Sequence, residues 1–160
     1  MSCNTFVEEY KLVQLLQPAT DAAGRTSAYV SLKFASFATI IVNIAQGNAA
    51  TVAITIEQAS AVAGTGSKVI TNTVPIWSNL DTAATDTLVR RTAGVALTTD
   101  AGVKNKQICF QIDPADLDIA NGFDCICIKT GASHVANVTA AVIVLNDRYK
   151  QATPPSSILD

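Results

Sequence analysis

Charge and aromatic residues are scarce in this chain. Charged side chains make up 15 % of its 160 residues and aromatic ones 6 %, against roughly 25 % charged in average soluble domains. There is one histidine, His134, in the loop-like stretch "TGASHVAN". Nucleophilic catalysis wants a serine or cysteine beside a base held by a carboxylate, and no nucleophile motif accompanies His134. The net charge of -2 and pI near 5.2 supply no basic field, which argues against a nucleic-acid partner. Nor is the chain acidic enough to read as disordered. Four cysteines are too few for a disulfide scaffold at this length. No window approaches the roughly 18 continuous apolar residues of a membrane helix. Residues 1–20 carry Glu8 and Glu9 where a secretory leader would be positive and then apolar, so folding in a cytoplasm is expected.

What is abundant is small and aliphatic: 49 % of the residues are apolar, enough for one domain with an ordinary core. From Ala28 onward the pattern has period two. "YVSLKF" puts Val30, Leu32 and Phe34 on one face, and "IIVNIAQGNAATVAITIEQA" reads as a β-hairpin. In it Ile40, Val42 and Ile44 share a face, as do Val52, Ile54 and Ile56, while "QGNAA" supplies the corner. Such alternation marks half-buried antiparallel strands, and β-branched residues suit them. Pro75 in "KVITNTVPIW" should end its strand or put it on an edge, because proline cannot donate to a ladder. "KQICFQID", "FDCICIK" and "NVTAAVIVLN" bring the count to about eight short strands with almost no helical period between them. The expected fold is all-β: an antiparallel two-sheet sandwich of jelly-roll type, with an immunoglobulin-like arrangement second.

Three segments follow: a helix or arm over residues 1–20, the sandwich over 21–149 and a tail over 150–160. In "TFVEEYKLVQLLQP" Thr5 and Glu8 form a capping-box pattern before an apolar run that Pro18 would stop. The competing reading is an extended arm whose Leu12-Val13 and Leu15-Leu16 pair with a neighbour's sheet edge.

Each chemical temptation has a structural alternative that fits better. Cys125 and Cys127 sit two apart on one strand face, with Cys109 on a neighbouring predicted strand. Zinc would need further ligands that are missing, and buried cysteine behaves as a small hydrophobe. A disulfide between Cys109 and one of the pair requires adjoining strands. "DPADLDIANGFD" gathers Asp113, Asp116, Asp118 and Asp124, oxygen ligands of the kind calcium prefers. Local capping explains the same residues: Asp113 caps a turn, Pro114 opens it, Asp116 completes the box and Asn121-Gly122 ends it. "AGTGSK" lacks a full phosphate-loop pattern. Trp77 is either a core residue or an interface or sugar-stacking anchor. No catalytic residue, metal or cofactor is expected.

"QGNAATVAITIEQASAVAGTGSK", "FQIDPADLDIANGFDCICIKTGASHVANVTAAVIVL" and the closing "RYKQATPPS" resemble small β-sandwich virion proteins of tailed bacteriophages: decoration, cement or minor head proteins. The likeness covers roughly residues 10 to 155 and rests on style of sequence, with no catalytic motif to carry over. It implies a capsid-surface protein assembled in the host cytoplasm, with the major capsid protein and further copies of itself as partners, for instance as a trimer on a symmetry axis. Contacts would come from Leu12, Val13, Leu15, Leu16 and Trp77 and from Pro154 and Pro155 in the tail. A head-to-tail connector, a tail-associated protein, or a carbohydrate- or receptor-binding module using Trp77, Tyr29, Tyr149 and the Asp113–Asp124 segment are the competing functions. A hydrolase is a further one, with nothing in the motifs to support it.

Overall fold

Period-two sequence becomes strand almost throughout. A computed structural model of the chain describes residues 6–149 and 154–159. A one-turn helix, α1 (Phe6–Glu9), leads into β1 (Tyr10–Thr20), β2 (Arg25–Thr26), β3 (Val30–Ser31), β4 (Ala35–Gln46), β5 (Ala53–Ala59) and β6 (Lys68–Val69). Then come β7 (Val74–Asn79), β8 (Val89–Gly94), β9 (Ala96–Thr98), β10 (Asn105–Ile112), β11 (Cys125–Thr130) and β12 (Asn137–Asp147).

Two antiparallel sheets face each other. The larger has six strands in the order β1-β12-β4-β10-β7-β8; the smaller runs β2-β11-β5-β6, with β3 beside β11 and β9 beside β5. The chain changes sheet at nearly every connection, and only β5-β6 and β7-β8 join neighbours within a sheet. The β7-β8 hairpin widens the larger sheet. The rest interleaves as a jelly roll, in which first and last strands lie side by side. Ile40, Val42, Ile44, Ile108, Phe110, Ile112 and Ile143 point inward from the larger sheet and meet Ile54, Ile56, Ile126 and Ile128 from the smaller, all within 2 % of fully buried.

The Ile40–Ala59 stretch is therefore not a hairpin. β4 and β5 belong to different sheets, and the residues between Gln46 and Ala53 carry the chain across the end of the sandwich. Alternation reports which face is buried and is silent on whether two strands pair edge to edge or face each other across a core. The corner is fixed by side chains: Asn137 Oδ1 accepts from Asn48 N at 2.8 Å, and Thr99 Oγ1 accepts from Val52 N at 2.9 Å.

Residues 6–20 fold differently from either expectation. The helix is confined to Phe6–Glu9, and Tyr10–Thr20 is a strand paired with the chain's own β12. Tyr10 to Gln14 run in register, then an extra residue enters between Gln14 and Leu16. This bulge explains the Leu15-Leu16 doublet. Two residues opposing one turn successive side chains to the same side, so Leu15 (6 % exposed) and Leu16 (5 %) both enter the core. A second shift before Ala19 accommodates Pro18 on an edge strand, where its missing N–H costs no ladder bond. Leu15→Ala and Leu16→Ala should each lower unfolding free energy by about 2–5 kcal/mol. Leu12→Ala, on the half-exposed side of the strand, should stay within about 0.5 kcal/mol. Urea titration of the three variants checks the assignment; equal small losses would mean that β1 does not seal the core.

Pro75 also departs from expectation. β7 is internal, flanked by β10 and β8. Pairing with β10 begins only at Ile76, and the β8 pairing shifts register between Val74 and Ile76, so proline occupies a bulge within the sheet. The described part of the tail is not extended away from the domain. Ser157 O accepts from Ser31 N at 2.8 Å, and Lys11 Nζ donates to Pro155 O and, at 3.3 Å, to Ser157 Oγ. Residues 1–5 of the N-terminal segment and 150–153 and 160 of the tail lie outside the described residues.

Candidate interaction surface

The outward side of the larger sheet carries a transverse row that the ladder registers define strand by strand: Gln14, Val142, Ile41, Cys109, Trp77 and Arg90 lie opposite one another in turn. Leu12 and Val144 begin the next row. The row is apolar in its middle and half-buried by its own neighbours, as side chains on a pleated face shield each other. The Arg90 guanidinium stands 4.9 Å from the Trp77 ring centre, a cation-π contact that covers the indole.

At the edge beside β1 the two ends of the described chain meet. The Phe6 and Tyr10 rings stack at 4.9 Å. A shallow hollow of about 310 Å³ is lined by Val7, Glu8, Glu9, Leu12, Tyr149 and Pro154, with Tyr10, Lys11 and Asp147 completing it. Val7 is 74 % exposed and Tyr149 73 %.

Of the expected contact residues, the structure brings Leu12 and Pro154 together at this hollow and puts Trp77 on the same sheet's outer face. Leu15 and Leu16 are corrected to core residues, and Val13 packs against that core. Pro155 is half-buried and its carbonyl is taken by Lys11. Tyr29, Trp77 and Tyr149 do not form one platform. Tyr29 lies over Gly64, where φ is +80° and the ring leaves no room for a side chain, since an added Cβ would stand 2.7 Å from it.

The smaller sheet's outer side is a closed polar network. Tyr29 and Ser67 share a hydroxyl–hydroxyl hydrogen bond, Ser67 Oγ donates to Glu57 Oε2 at 2.8 Å, and Lys129 Nζ sits 2.9 Å from Glu57 Oε1. Burial pushes the Tyr29 hydroxyl up to about 12 and the Cys127 thiol up to about 11, so both stay protonated at neutral pH. Cys127 and Cys125 lie in the smaller sheet and Cys109 in the larger, so no cross-strand disulfide joins Cys109 to either of the pair, and none of the three is in a disulfide. Asp113 accepts from Ala115 N at 2.9 Å while Asp116 accepts from Asp113 N at 3.0 Å, the capping box expected there. Gly122 closes the following turn at φ +80°. Asp118 is taken by Asn121 and by Lys68 at 2.5 Å. Among the described residues, no group of three or more potential metal ligands converges.

Acid sensitivity follows from these pairs. Burial works to raise Glu57, but the Lys129 ammonium and the Ser67 and Tyr29 hydroxyls outweigh it and leave its carboxyl below the ordinary value. Lys104, Lys106 and Lys68 likewise lower Asp81, Asp100 and Asp118. A lowered native value stabilises the fold at pH above the unfolded carboxylate values and withdraws that support as pH falls through the native ones. Stability should therefore be level above about pH 5 and decline below it. Lys129→Met should reduce the acid-side slope, measured by chemical denaturation across pH; an unchanged slope would remove Glu57 from the account.

Two buried ionic clusters had no forecast in the sequence. Asp21 is fully buried and accepts from Thr130 Oγ1 at 2.9 Å, from Arg25 Nε at 3.1 Å and from Thr139 Oγ1. Lys106 is fully buried and donates to Gln46 Oε1, Asp100 O and Asp100 Oδ1 at 2.8, 2.9 and 2.5 Å. Each reads as an ordinary surface charge in sequence. A signal existed only for the first: "DAAGR" spaces Asp21 and Arg25 by four residues around Gly24.

Fold and surface together define the class: an antiparallel jelly-roll sandwich in which five ion pairs among the described residues tie acids to bases and exposed apolar side chains stand at both edges of the larger sheet, at Val7 and Leu12 and at Leu88 and Val89. No helix among the described residues is long and apolar enough to cross a membrane. No family model and no curated protein matches the sequence. Among solved structures, the SPBc2 prophage-derived protein YomS is similar at 12 % identity and TM-score 0.49, over 85 % of this chain and 92 % of its own. A structure described as CBM4 is similar at 12 % identity and TM-score 0.31, over 86 % of this chain and 68 % of its own. The CBM22-1–GH10 modules of Clostridium thermocellum endo-1,4-β-D-xylanase 10B, complexed with xylohexaose, are similar at 8 % identity and TM-score 0.39, over 92 % of this chain and 28 % of theirs. These are distant likenesses, and none assigns the chain to a family.

Proposed function

We propose that the chain is a non-enzymatic structural protein of a phage virion, which binds the capsid surface and stabilises the assembled shell. The observation that carries this reading is the division of the surface. Five ion pairs, Glu57-Lys129 and Asp118-Lys68 among them, hold acids and bases to each other, while the apolar Val7 and Leu12 stand exposed at the β1 edge. A protein that works by adhesion needs a rigid scaffold and an apolar contact area, and no poised nucleophile. The partners are the major capsid protein and further copies of the chain, where many weak contacts on a repeating shell add up to firm attachment.

Co-sedimentation with empty, undecorated phage heads tests it. The purified chain should pellet with heads and raise their resistance to heat. A chain that stays in the supernatant at every concentration overturns the capsid role. A glycan array that binds the chain and is silenced by Trp77→Ala would instead favour a carbohydrate-binding module, although Arg90 already occupies the Trp77 ring.

A further inference from the structure

The two outer faces of the sandwich differ in charge. On the larger sheet, the outward positions of β4 from Phe37 to Ala45, of β12 from Val138 to Asn146 and of β10 from Asn105 to Gln111 are all uncharged. β1 continues this with Tyr10, Leu12 and Gln14, and β7 with Pro75 and Trp77. Arg90, stacked on Trp77 at the far edge, is the first charge the ladders bring to that side. The smaller sheet, by contrast, sets Glu57, Lys129 and Lys68 on its outer side. Around the neutral area charges return at the rim, with Asp113 and Asp116 beside Phe37. An uncharged centre within a polar rim is the usual build of a protein contact.

Extent and pattern point to a second copy as the occupant. Strand spacing of about 4.8 Å and a rise of about 3.4 Å per residue make the face about 24 Å wide and, from Phe37 to Ala45, about 27 Å long. That is about 650 Å² of flat area before side chains add relief, close to the roughly 800 Å² each partner contributes to a stable interface. Its polar side chains include the carboxamides of Gln14, Asn43, Gln107 and Gln111, with Gln107 Nε2 donating to Asn43 Oδ1 at 3.0 Å. A carboxamide both donates and accepts, so it can meet its own copy across a two-fold axis where a carboxylate or an ammonium cannot. The central row matches itself as well. Turned about an axis parallel to the strands between Ile41 and Cys109, it sets Trp77 of one copy over Val142 of the other, Cys109 over Ile41 and Arg90 over Gln14. Packed sheets keep their strands within about 30° of each other, so the match is tightest at the centre, among the apolar members.

We propose that two copies of this chain pack the outer faces of their larger sheets against each other about a two-fold axis. This gives the self-association named above its surface and rests on that reading. Burial of the central row supplies the attachment, and the amides around it fix the register. Arg90 keeps its place on Trp77, and the contact asks no other charge to leave water.

The test is sedimentation velocity of the full chain over a concentration series, read together with emission from Trp77, the single tryptophan. Mass should double with concentration, and the emission should shift to the blue over the same range as the second copy excludes water from the indole. Raising salt from about 0.05 M to about 0.5 M should not weaken the dimer, since no ion pair holds it. Ile41→Lys and Thr39→Lys should each raise the dissociation constant roughly tenfold or more, because each would bury an unpaired charge in the contact. Thr39→Lys should do so with a wild-type melting curve, and Val69→Lys, on the smaller sheet, should leave mass and emission unchanged. A monomer at every concentration, a dimer that forms without a change in Trp77 emission, or a dimer untouched by Thr39→Lys overturns the proposal. Co-sedimentation with heads is scored separately: heads bound by a strictly monomeric chain overturn the dimer and leave the capsid role standing, while a dimer that ignores heads does the reverse.

Discussion

Asp21→Ala is expected to lower unfolding free energy by about 3–5 kcal/mol, because it removes the buried carboxylate that Arg25 pairs with and leaves the Thr130 and Thr139 hydroxyls without their acceptor. Against a total stability of about 5–15 kcal/mol for a domain, this is a large fraction. The cost comes from what Asp21 organises. Its carboxylate accepts from Thr130 of β11 and Thr139 of β12 as well as from Arg25, tying the two sheets together at one end. Its backbone joins in: Asp21 N donates to Asn137 O at 3.0 Å, and Ser133 N donates to Asp21 O at 2.8 Å. The paired Arg25 guanidinium then donates to Gln17 O at 2.8 Å, Ala19 O at 3.0 Å and Thr139 O at 2.6 Å. Gln17 and Ala19 flank the second irregularity of β1, where the ladder to β12 is interrupted. Arg25 thus supplies donors to carbonyls at the broken stretch of ladder. The urea midpoint should fall with the m-value unchanged. A loss below about 1 kcal/mol would show that water reaches the cluster and that the pair behaves as a surface bridge.

This cluster also shows where sequence reading stops. Local rules were legible. Alternation located the inward faces of β4 and β5, and the Asp113-x-x-Asp116 spacing marked a capping box that forms with both hydrogen bonds present. Alternation could not say which strands pair, so Ile40–Ala59 reads as a hairpin while its halves face each other across the core. It also fails at a bulge: Leu15-Leu16 breaks period two, and the apolar spacing around it imitates a helix. Pro18 and Pro75 look like stops because proline is hostile to regular ladders, yet each sits at an irregularity that tolerates it. In each case the missing information is non-local. Asp21 is buried because residues 109 and 118 positions away in sequence supply its partners.

The interaction surface was legible in part for the same reason. Leu12 and Trp77 are apolar residues on half-buried strands, and the sequence marks them as candidates without placing them. The ladders from β1 to β8 put both on one face.

Lys106 gives the second large effect, and its variants separate packing from charge. It is among the largest fully buried side chains described, its stem lying within the sandwich and its ammonium held by Gln46 and Asp100. Lys106→Ala should cost about 2–5 kcal/mol, the range for emptying a long buried side chain. Lys106→Met keeps most of the volume and should cost under about 1.5 kcal/mol. The partners explain the difference. Without the ammonium, Gln46 Oε1 still accepts from Thr99 Oγ1 at 2.8 Å, and Gln46 Nε2 still donates to Asp100 O at 2.8 Å. The Asp100 side chain, 55 % exposed, can turn to water. Only one property should be lost in the methionine variant. The Lys106 hydrogen bond is the main cause of Asp100's lowered carboxyl, which stabilises the fold above the unfolded carboxylate value and is lost as pH falls. Lys106→Met should therefore approach wild type most closely in acid and fall furthest behind near neutrality, as read from urea midpoints across pH. Equal losses for alanine and methionine would mean that the ammonium, and not the volume it fills, holds this corner of the sandwich together.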